Sequence, residues 1–336
     1  VLGPVMHGPS SSHTAASFHI GRIARSALGE SLVEADIAFD PGGSYAEVYR
    51  QQGSDRAFAM GILGRDITDP GYKGALEALR GEGVDLSFSI RPLKDRDHPN
   101  AVEVLLTGAS GRKVALGARS VGGGAVEVTS LAGIGLSLSG DAWDLVVLAG
   151  EGALPRLRSE AGALTLAGSS PREWGHEGLV VFHAPCLEEP PAGLIERLRL
   201  GDGVRELWLL EPVFFPARGE PLFSDASAMV SYAGREGITL GGAGLRYEAA
   251  LLGFSREEVM NEMKVRYRVM EESVRAGLSG EGLSMRLMDP AAGGIMEAES
   301  RGGLAIGGLH TRAAARALAA MHVNASGGLV VAAPTG

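Results

Sequence analysis

The stretch NAVEVLLTGASGRKVALGARSVGGGAVEV, residues 100–128, decides the fold of the first part of the chain. Apolar residues recur along it at every second position, and glycine-containing breaks divide it, so it predicts a meander of antiparallel strands. Further strands are predicted at 33–40, 45–49 and 84–90, and helices at 13–28 and 71–80. Residues 1–130 are therefore expected to form an α+β domain.

The region 140–215 has a different rhythm. It predicts the strand DLVVLAG (144–150), a helix over 152–162, a strand over 163–168, the strand GLVVFHA (178–184), a helix over 192–200 and the strand VRELWLLEPVF (204–214). This βαββαβ order is typical of a ferredoxin-like unit. Such a unit by itself says little about function.

The last region, 222–336, is expected to be helical. Ser255 and Glu258 form a capping box before a helix predicted over 256–276. A glycine-rich stretch at 289–309 then leads to a helix predicted over 311–322 and to a final strand-like run.

Composition excludes several classes of function. The net charge is −9, and the lysines are scattered, so no basic stripe favours nucleic acid. No apolar run approaches the roughly 20 residues that span a bilayer, so we expect a cytoplasmic protein without membrane contact. The single cysteine, Cys186, excludes an intramolecular disulfide and an all-cysteine metal site within this chain.

The segment HGPSSSHTAAS, residues 7–17, carries the strongest candidate site. It places Ser10, Ser11, Ser12, His13 and Thr14 at the N-terminus of the first predicted helix. Free N–H groups and hydroxyl donors suit a small anionic ligand, and a histidine can exchange a proton near neutral pH. The alternative is a helix cap with more hydroxyls than it needs and a surface histidine.

Two further segments are weaker candidates. DHPNAVEV (97–104) presents His98 and Asn100 from a proline turn, which is either a site or an ordinary loop. HVNASGGLVVAAPTG (322–336) contains Asn324 and Thr335, and it also fits a helix C-cap followed by a buried strand. The histidine spacing predicts no zinc site.

These segments occur in an order that resembles the iron–sulfur L-serine dehydratases. The motifs that carry the resemblance are GPVMHGPSSSHTAASFHIGRIARSALG, HPNAVEV, SVGGGAVEV and VNASGGLVVAAPTG. The resemblance implies a serine dehydratase β-type domain over 1–130, a degenerate ACT-like domain over 140–215 and the N-terminal part of an all-α catalytic domain over 222–336. This order resembles the fused, single-chain members of the family, and it implies a homodimer.

The family's chemistry implies roles for the candidate residues. In the family a [4Fe–4S] cluster acts as Lewis acid on the hydroxyl of L-serine, which is deaminated to pyruvate and ammonia. The resemblance makes His13 and Thr14 catalytic candidates, with His13 the candidate for proton transfer. It makes Ser10, Ser11, Ser12, Asn324 and Thr335 substrate-binding candidates. His98 and Asn100 become candidates for a regulatory or interdomain role.

The chain also departs from the family. Where the family has NEENAAGG, this sequence has HVNASGGL, and no metal ligand is predicted within the chain. The cluster cysteines are expected beyond residue 336 or on a separate α subunit, and the chain alone is expected to be inactive. A pyridoxal-phosphate enzyme is discounted because none of the lysines stands in a suitable setting. The remaining alternative is a non-catalytic module that senses serine and regulates a partner.

Overall fold

The computed structural model describes residues 3–94, 98–165, 169–284, 289–302 and 308–332. The strands are β1 (Val5–His7), β2 (Leu32–Phe39), β3 (Asp85–Ile90), β4 (Ala101–Gly108), β5 (Lys113–Gly122), β6 (Ala125–Leu131), β7 (Ile134–Leu138), β8 (Trp143–Ala149), β9 (Arg172–His176), β10 (Leu179–Cys186), β11 (Val204–Leu210) and β12 (Leu329–Val331). The helices are α1 (Ala15–Leu28), α2 (Ser54–Leu63), α3 (Ala75–Gly81), α4 (Leu154–Glu160), α5 (Ala192–Arg199), α6 (Ala226–Glu236), α7 (Leu240–Leu252), α8 (Arg256–Ser279), α9 (Ala292–Ser300) and α10 (Gly308–Ala325). The predicted α+β class is confirmed. Within these described ranges, no helix is both long and apolar enough to traverse a membrane.

The chain divides into two compact units. Unit 1 comprises residues within 1–25, 30–137 and 265–336, and unit 2 comprises residues within 26–29 and 138–264. The division into domains at 1–130, 140–215 and 222–336 stays a prediction.

Unit 1 is built on a six-stranded sheet with the order β3-β2-β4-β5-β6-β7. The run from β4 to β6 is antiparallel, as the period-two pattern of residues 100–128 predicts. Strand β3 instead pairs in parallel with β2, after the crossover that contains α2 and α3. The alternating residues Val104, Leu106, Val114 and Leu116 are all buried, because each points to the covered face of its strand.

Helices α1 and α2 approach each other closely in unit 1. A Cβ placed on Gly61 would lie 2.2 Å from the carbonyl oxygen of Phe18. Only glycine allows backbones this close. The apolar face predicted for α1 is buried, including Phe18, Ile23 and Leu28.

The strand predicted over 45–49 is wrong. The backbone there turns helically, because the Tyr49 N–H donates to the carbonyl of Tyr45 at 2.9 Å. This spacing brings both tyrosine rings against Phe39, at centroid distances of 5.0 and 5.1 Å. Alternating apolar residues over five positions also fit one buried helical turn, so tertiary packing decided between the two. Helix α2, which follows, is not predicted.

Unit 2 contains a second sheet with the order β11-β8-β10-β9, in which every pairing is antiparallel. Along the chain its elements run strand, helix, two strands, helix, strand. This is the predicted order of element types. The core lies between the sheet and its helices, where Leu145, Val147, Phe182, Leu157 and Leu198 are buried together.

The position of one strand in this unit was predicted wrongly. Residues 162–164 form a short 3-10 turn, Thr165 makes only an isolated bridge to Cys186, and residues 166–168 lie outside the described residues. The hairpin partner of β10 is β9, which begins at Arg172. Glu177 and Gly178 form its two-residue turn, both with positive φ (49° and 79°). Turns of this kind usually carry Asn-Gly or Asp-Gly, so the Glu-Gly sequence did not indicate a hairpin turn.

The helices after residue 255 agree with the prediction in part. The capping box is confirmed, since the Ser255 N–H donates to Glu258 Oε2 at 2.7 Å and the Glu258 N–H donates to Ser255 Oγ at 3.2 Å. The glycine-rich stretch at 289–309 contains helix α9, which was not predicted. The helix predicted over 311–322 is longer and spans Gly308–Ala325 as α10.

The two ends of unit 1 form a small sheet that positions the candidate site. Strand β1 pairs antiparallel with β12, with Val5 opposite Val331 and His7 opposite Leu329. The segment that follows β1 is therefore held beside the segment that precedes β12.

Candidate active site

The segment between β1 and α1, residues 8–14, is called here the serine loop. The N–H groups of His13 and Thr14 both donate to the carbonyl oxygen of Ser10, at 3.1 and 2.8 Å, and so start the first turn of α1. The side chains of Ser11 and Ser12 make no hydrogen bond to any described residue. Within the described contacts, no serine hydroxyl of this loop caps α1. The hydroxyls of Ser11 and Ser12 are therefore available to a ligand, which the capping alternative does not explain.

Thr14 has a structural position inside the loop. It is fully buried, and its hydroxyl lies 2.5 Å from the carbonyl oxygen of His7 and 2.9 Å from that of Ser10. With one proton, the hydroxyl donates to one of these oxygens at a time. The side chain thus holds the loop closed, and its predicted catalytic role stays a prediction.

His13 is buried behind the serines, with 8% of its surface exposed. Its Nδ1 lies 3.1 Å from Ser10 Oγ, and its buried Nε2 has no hydrogen-bond partner among the described residues. Burial lowers the pKa of His13, and the nearby backbone of Ser44 partly opposes this. The ring is therefore neutral at pH 7 and can accept a proton.

Tyr45 contacts the serine loop from the protein interior, and the sequence analysis did not predict this role. Its side chain is fully buried, and its hydroxyl donates to the carbonyl oxygen of Ser12 at 2.7 Å. Its ring lies against His13, with 4.8 Å between centroids. Burial raises the pKa of Tyr45 to about 12, so the hydroxyl stays a donor. The only sequence signal is the four-residue spacing of Tyr45 and Tyr49.

The turn that carries His98 and Asn100 is tied to the residue next to Tyr45. The Ser44 N–H donates to the carbonyl of Pro99 at 2.7 Å, and the Ser44 hydroxyl donates to Asn100 Oδ1. The Asn100 N–H donates to His98 Nδ1 at 3.1 Å, so the histidine ring stabilises its own turn. His98 also lines a separate cavity of about 60 Å³ in which Asn100 takes no part.

Asn324 reaches the serine loop from the end of α10. Its side-chain Nδ2 donates to the carbonyl oxygen of Pro9 at 3.0 Å, although the two residues are 315 positions apart. The Gly8 N–H donates to the carbonyl of Gly328 at 2.9 Å, and His7 Nδ1 lies 3.1 Å from the carbonyl oxygen of Gly327. The structure thus brings together the opening motif and the closing motif of the sequence.

A cavity of about 740 Å³ lies between these two segments. It is lined by Met6, Pro9, Ser10, Ser11, Ser12, Met270, Ser273, Val274, Arg316, Ala317, Ala320, Met321, Asn324, Val330, Val331 and Ala332. Four of the five predicted substrate-binding residues are therefore lining residues. The fifth, Thr335, lies outside the described residues. The catalytic candidates His13 and Thr14 are behind the wall and do not line the cavity.

The donor set of this chain does not fit an iron–sulfur cluster. Such clusters are held by several cysteine thiolates, and the chain has only Cys186. Cys186 is buried in the core of unit 2 beside Phe182 and Ala184, where burial, with a smaller contribution from the charge of Asp144, raises its pKa to about 11. Over the described ranges, no three His, Cys, Asp or Glu side chains converge as a metal site would require.

A nucleophile-and-base pair of Cys186 and His183 is also excluded by position. Cys186 faces the helix side of the sheet, whereas the odd-numbered His183 points to the opposite face. His183 Nε2 lies 2.6 Å from Asp144 Oδ1, and its Nδ1 lies 3.1 Å from a guanidinium nitrogen of Arg172. His183 and Asp144 are buried and Arg172 is exposed, and none of the three lines the cavity in unit 1.

Comparison with known proteins agrees with the motifs. A family profile described as "Serine dehydratase alpha chain" matches residues 125–336. The "Probable L-serine dehydratase, beta chain" of Bacillus subtilis (strain 168) is 38% identical over 141 residues, which cover 42% of this chain and 62% of the relative. The "L-serine dehydratase, beta chain" of Peptoniphilus asaccharolyticus is 33% identical over 141 residues, 42% of this chain and 63% of the relative. The chain thus spans less than two thirds of the length of either relative. Since the profile covers more than half of this chain, the resemblance is confirmed, and the chain belongs to the serine dehydratase alpha chain family.

Proposed function

We propose that this chain takes part in the deamination of L-serine to pyruvate and ammonia. The observation that carries the proposal is the cavity that the serine loop and Asn324 line together. Its free serine hydroxyls suit a small polar substrate. The names of the two relatives support L-serine as that substrate.

In this proposal His13 exchanges a proton with the substrate through Ser10. Ser10 lines the cavity, and its Oγ lies 3.1 Å from His13 Nδ1. His13 itself does not line the cavity. A neutral imidazole can take a proton from the Ser10 hydroxyl as that hydroxyl takes one from the substrate. Thr14 and Tyr45 hold the loop in the geometry that this relay needs.

The cofactor of the proposed reaction is a [4Fe–4S] cluster whose ligands lie outside these 336 residues. One buried cysteine cannot supply the thiolates that such a cluster needs. The two relatives are named beta chains. We therefore propose a cysteine-bearing α-type region, in the same polypeptide or in a partner, and a homodimeric assembly.

The remaining two elements are given regulatory roles. The βαββαβ sheet of unit 2 has the strand order of ferredoxin-like modules and acts as an ACT-type domain in this proposal. His98 and Asn100 belong to a turn that is bonded to Ser44, next to the serine loop. Binding near this turn would shift Ser44 and Tyr45, and so would change the position of Ser12.

The test is a pyruvate assay without oxygen, with L-serine and a cysteine-bearing serine dehydratase alpha chain. Pyruvate is expected from the mixture and from neither chain alone. In the active mixture, His13→Gln is expected to lower turnover about 100-fold and to leave the affinity for L-serine unchanged. Ser10→Ala should lower turnover similarly, and Ser227→Ala, at an exposed serine of α6 that does not line the cavity, serves as the matched control. Full activity of both His13→Gln and Ser10→Ala would remove the relay.

A second candidate function is serine sensing without turnover. The observation that favours it is the single cysteine in the core of unit 2, which leaves the chain without cluster ligands. It predicts that the chain binds L-serine and that no mixture with an alpha chain forms pyruvate. Pyruvate formation in any such mixture would exclude it.

A further inference from the structure

Arg316 differs from the other residues that line the cavity. It is the only charged side chain among the described residues of that wall. It lies on α10, eight residues before Asn324, which places the two residues about two helical turns apart on the same helix. The cavity therefore has a hydroxyl-rich part at the serine loop and a single cation elsewhere on its wall.

The guanidinium of Arg316 has no partner within the described part of the chain. Some arginines on other helices are paired, as Arg275 is with Glu271 at 2.7 Å and Arg246 with Glu236 at 3.0 Å. The residues within one turn of Arg316 are arginine, alanine and leucine, so α10 offers it no carboxylate. In a chain with a net charge of −9, this cation is left free at a cavity.

The surroundings of Arg316 favour an anionic ligand. The wall also contains apolar residues, Met270, Val274, Ala317 and Met321 among them, and Arg316 itself is exposed, so an entering ligand can reach it. Among the described lining residues none is acidic, and the Arg316 guanidinium and the Ser11 and Ser12 hydroxyls can all donate hydrogen bonds to an anion. A planar guanidinium matches a carboxylate with two parallel hydrogen bonds.

We propose that Arg316 binds the α-carboxylate of the small amino acid that enters this cavity and so determines its preference for ligands with a free carboxylate. The inference rests on the proposed function for the identity of the ligand, L-serine. The serine loop receives the polar remainder of the ligand. Amino-acid amides and amino alcohols lack the charge that Arg316 recognises.

The test is calorimetric titration of the whole 336-residue chain with three probes. They are L-serine, L-serinamide, which lacks the carboxylate charge, and D-lactate, a carboxylate that is not an amino acid. The variants are Arg316→Gln, Arg316→Lys and the matched control Arg312→Gln. Arg312 lies one turn earlier on α10 and, like Arg316, is exposed and unpaired among the described residues, but it does not line the cavity. Far-UV circular dichroism of each variant checks the fold.

Arg316→Gln is expected to weaken L-serine binding about 10- to 100-fold, as when a charge-assisted hydrogen bond is lost, and to leave L-serinamide binding unchanged. Arg316→Lys should retain part of the affinity, and Arg312→Gln all of it. Equal L-serine affinity in Arg316→Gln and the unmodified chain would overturn the inference while the serine function stands. Arg316-dependent binding of D-lactate without L-serine binding would support the carboxylate site and refute L-serine as ligand. Binding of neither carboxylate to the unmodified chain would overturn both.

Discussion

Replacing Tyr45 with phenylalanine removes one oxygen atom from beneath the serine loop. The hydroxyl donates to the Ser12 carbonyl at 2.7 Å, and the side chain is fully buried. The aromatic ring remains, so its contacts with His13 and Phe39 are kept. The change therefore removes the hydrogen bond that holds Ser12, together with a longer one that Ser17 Oγ donates to the hydroxyl at 3.5 Å.

The expected loss of unfolding free energy is about 1–3 kcal/mol, because the Ser12 carbonyl loses its buried donor. Tyr72 offers a matched control. Its side chain is 4% exposed, and its hydroxyl is buried without a hydrogen-bond partner among the described residues. Tyr72→Phe removes an unsatisfied polar atom, so we expect it to leave stability unchanged or to raise it by about 1 kcal/mol. The same chemical change thus has opposite expected signs at the two positions.

Urea denaturation followed by far-UV circular dichroism measures both variants. Hydrogen–deuterium exchange of a peptide covering residues 8–28 supplies a local readout. Tyr45→Phe should speed exchange in this peptide, whereas Tyr72→Phe should not. If the two variants have equal stability and equal exchange, the Tyr45 hydroxyl does not hold the loop.

Three further predictions follow from the packing of unit 1 and the cap of α8. Gly8→Ala should destabilise the chain by about 1–3 kcal/mol, because a Cβ at Gly8 would lie 1.9 Å from the Asn324 carbonyl oxygen. Gly74→Ala should leave stability unchanged, because a Cβ at Gly74 meets nothing within 4 Å. Equal urea midpoints for Gly8→Ala and Gly74→Ala would contradict this prediction. Burial lowers the pKa of His19 to about 4, from 6.5. Between these two pH values the unfolded chain therefore binds a proton that the folded chain does not. The unfolding free energy should fall by about 3 kcal/mol from pH 7 to pH 4. Denaturation curves of His19→Gln should lack this part of the pH dependence. Ser255→Ala should cost about 1 kcal/mol by the same assay and leave L-serine binding unchanged, and weaker binding would contradict a purely capping role.

Local patterns predicted much of the fold correctly. The capping box of Ser255 and Glu258 and the apolar face of α1 depend on residues within one or two turns of each other. The meander of residues 100–128 depends on alternation and on neighbouring strands. The errors also have local causes. Tyr45 and Tyr49 fit either a strand or one helical turn, and Glu177 takes a positive φ that glutamate rarely adopts.

The candidate site was predicted only in part, because some of its residues are brought together only by tertiary contacts. Residue types in the opening motif indicated a ligand site at Ser10, Ser11 and Ser12, and all three line the cavity. Neither Tyr45 nor Arg316 belongs to a recognisable motif, and the four-residue spacing of Tyr45 and Tyr49 indicates no ligand site. Their roles depend on what lies opposite them in space.

Short-range interactions specify the α+β class, the helix that begins at the serine loop and the capped helix α8, so these features could be predicted from the residues alone. The tertiary structure alone decided that β1 pairs with β12 and that Asn324 meets Pro9 across 315 positions of chain. Such contacts depend on the packing of the whole unit, since no local preference specifies which distant segments meet. The cavity, its hydroxyls and its single arginine exist only once that pairing has formed.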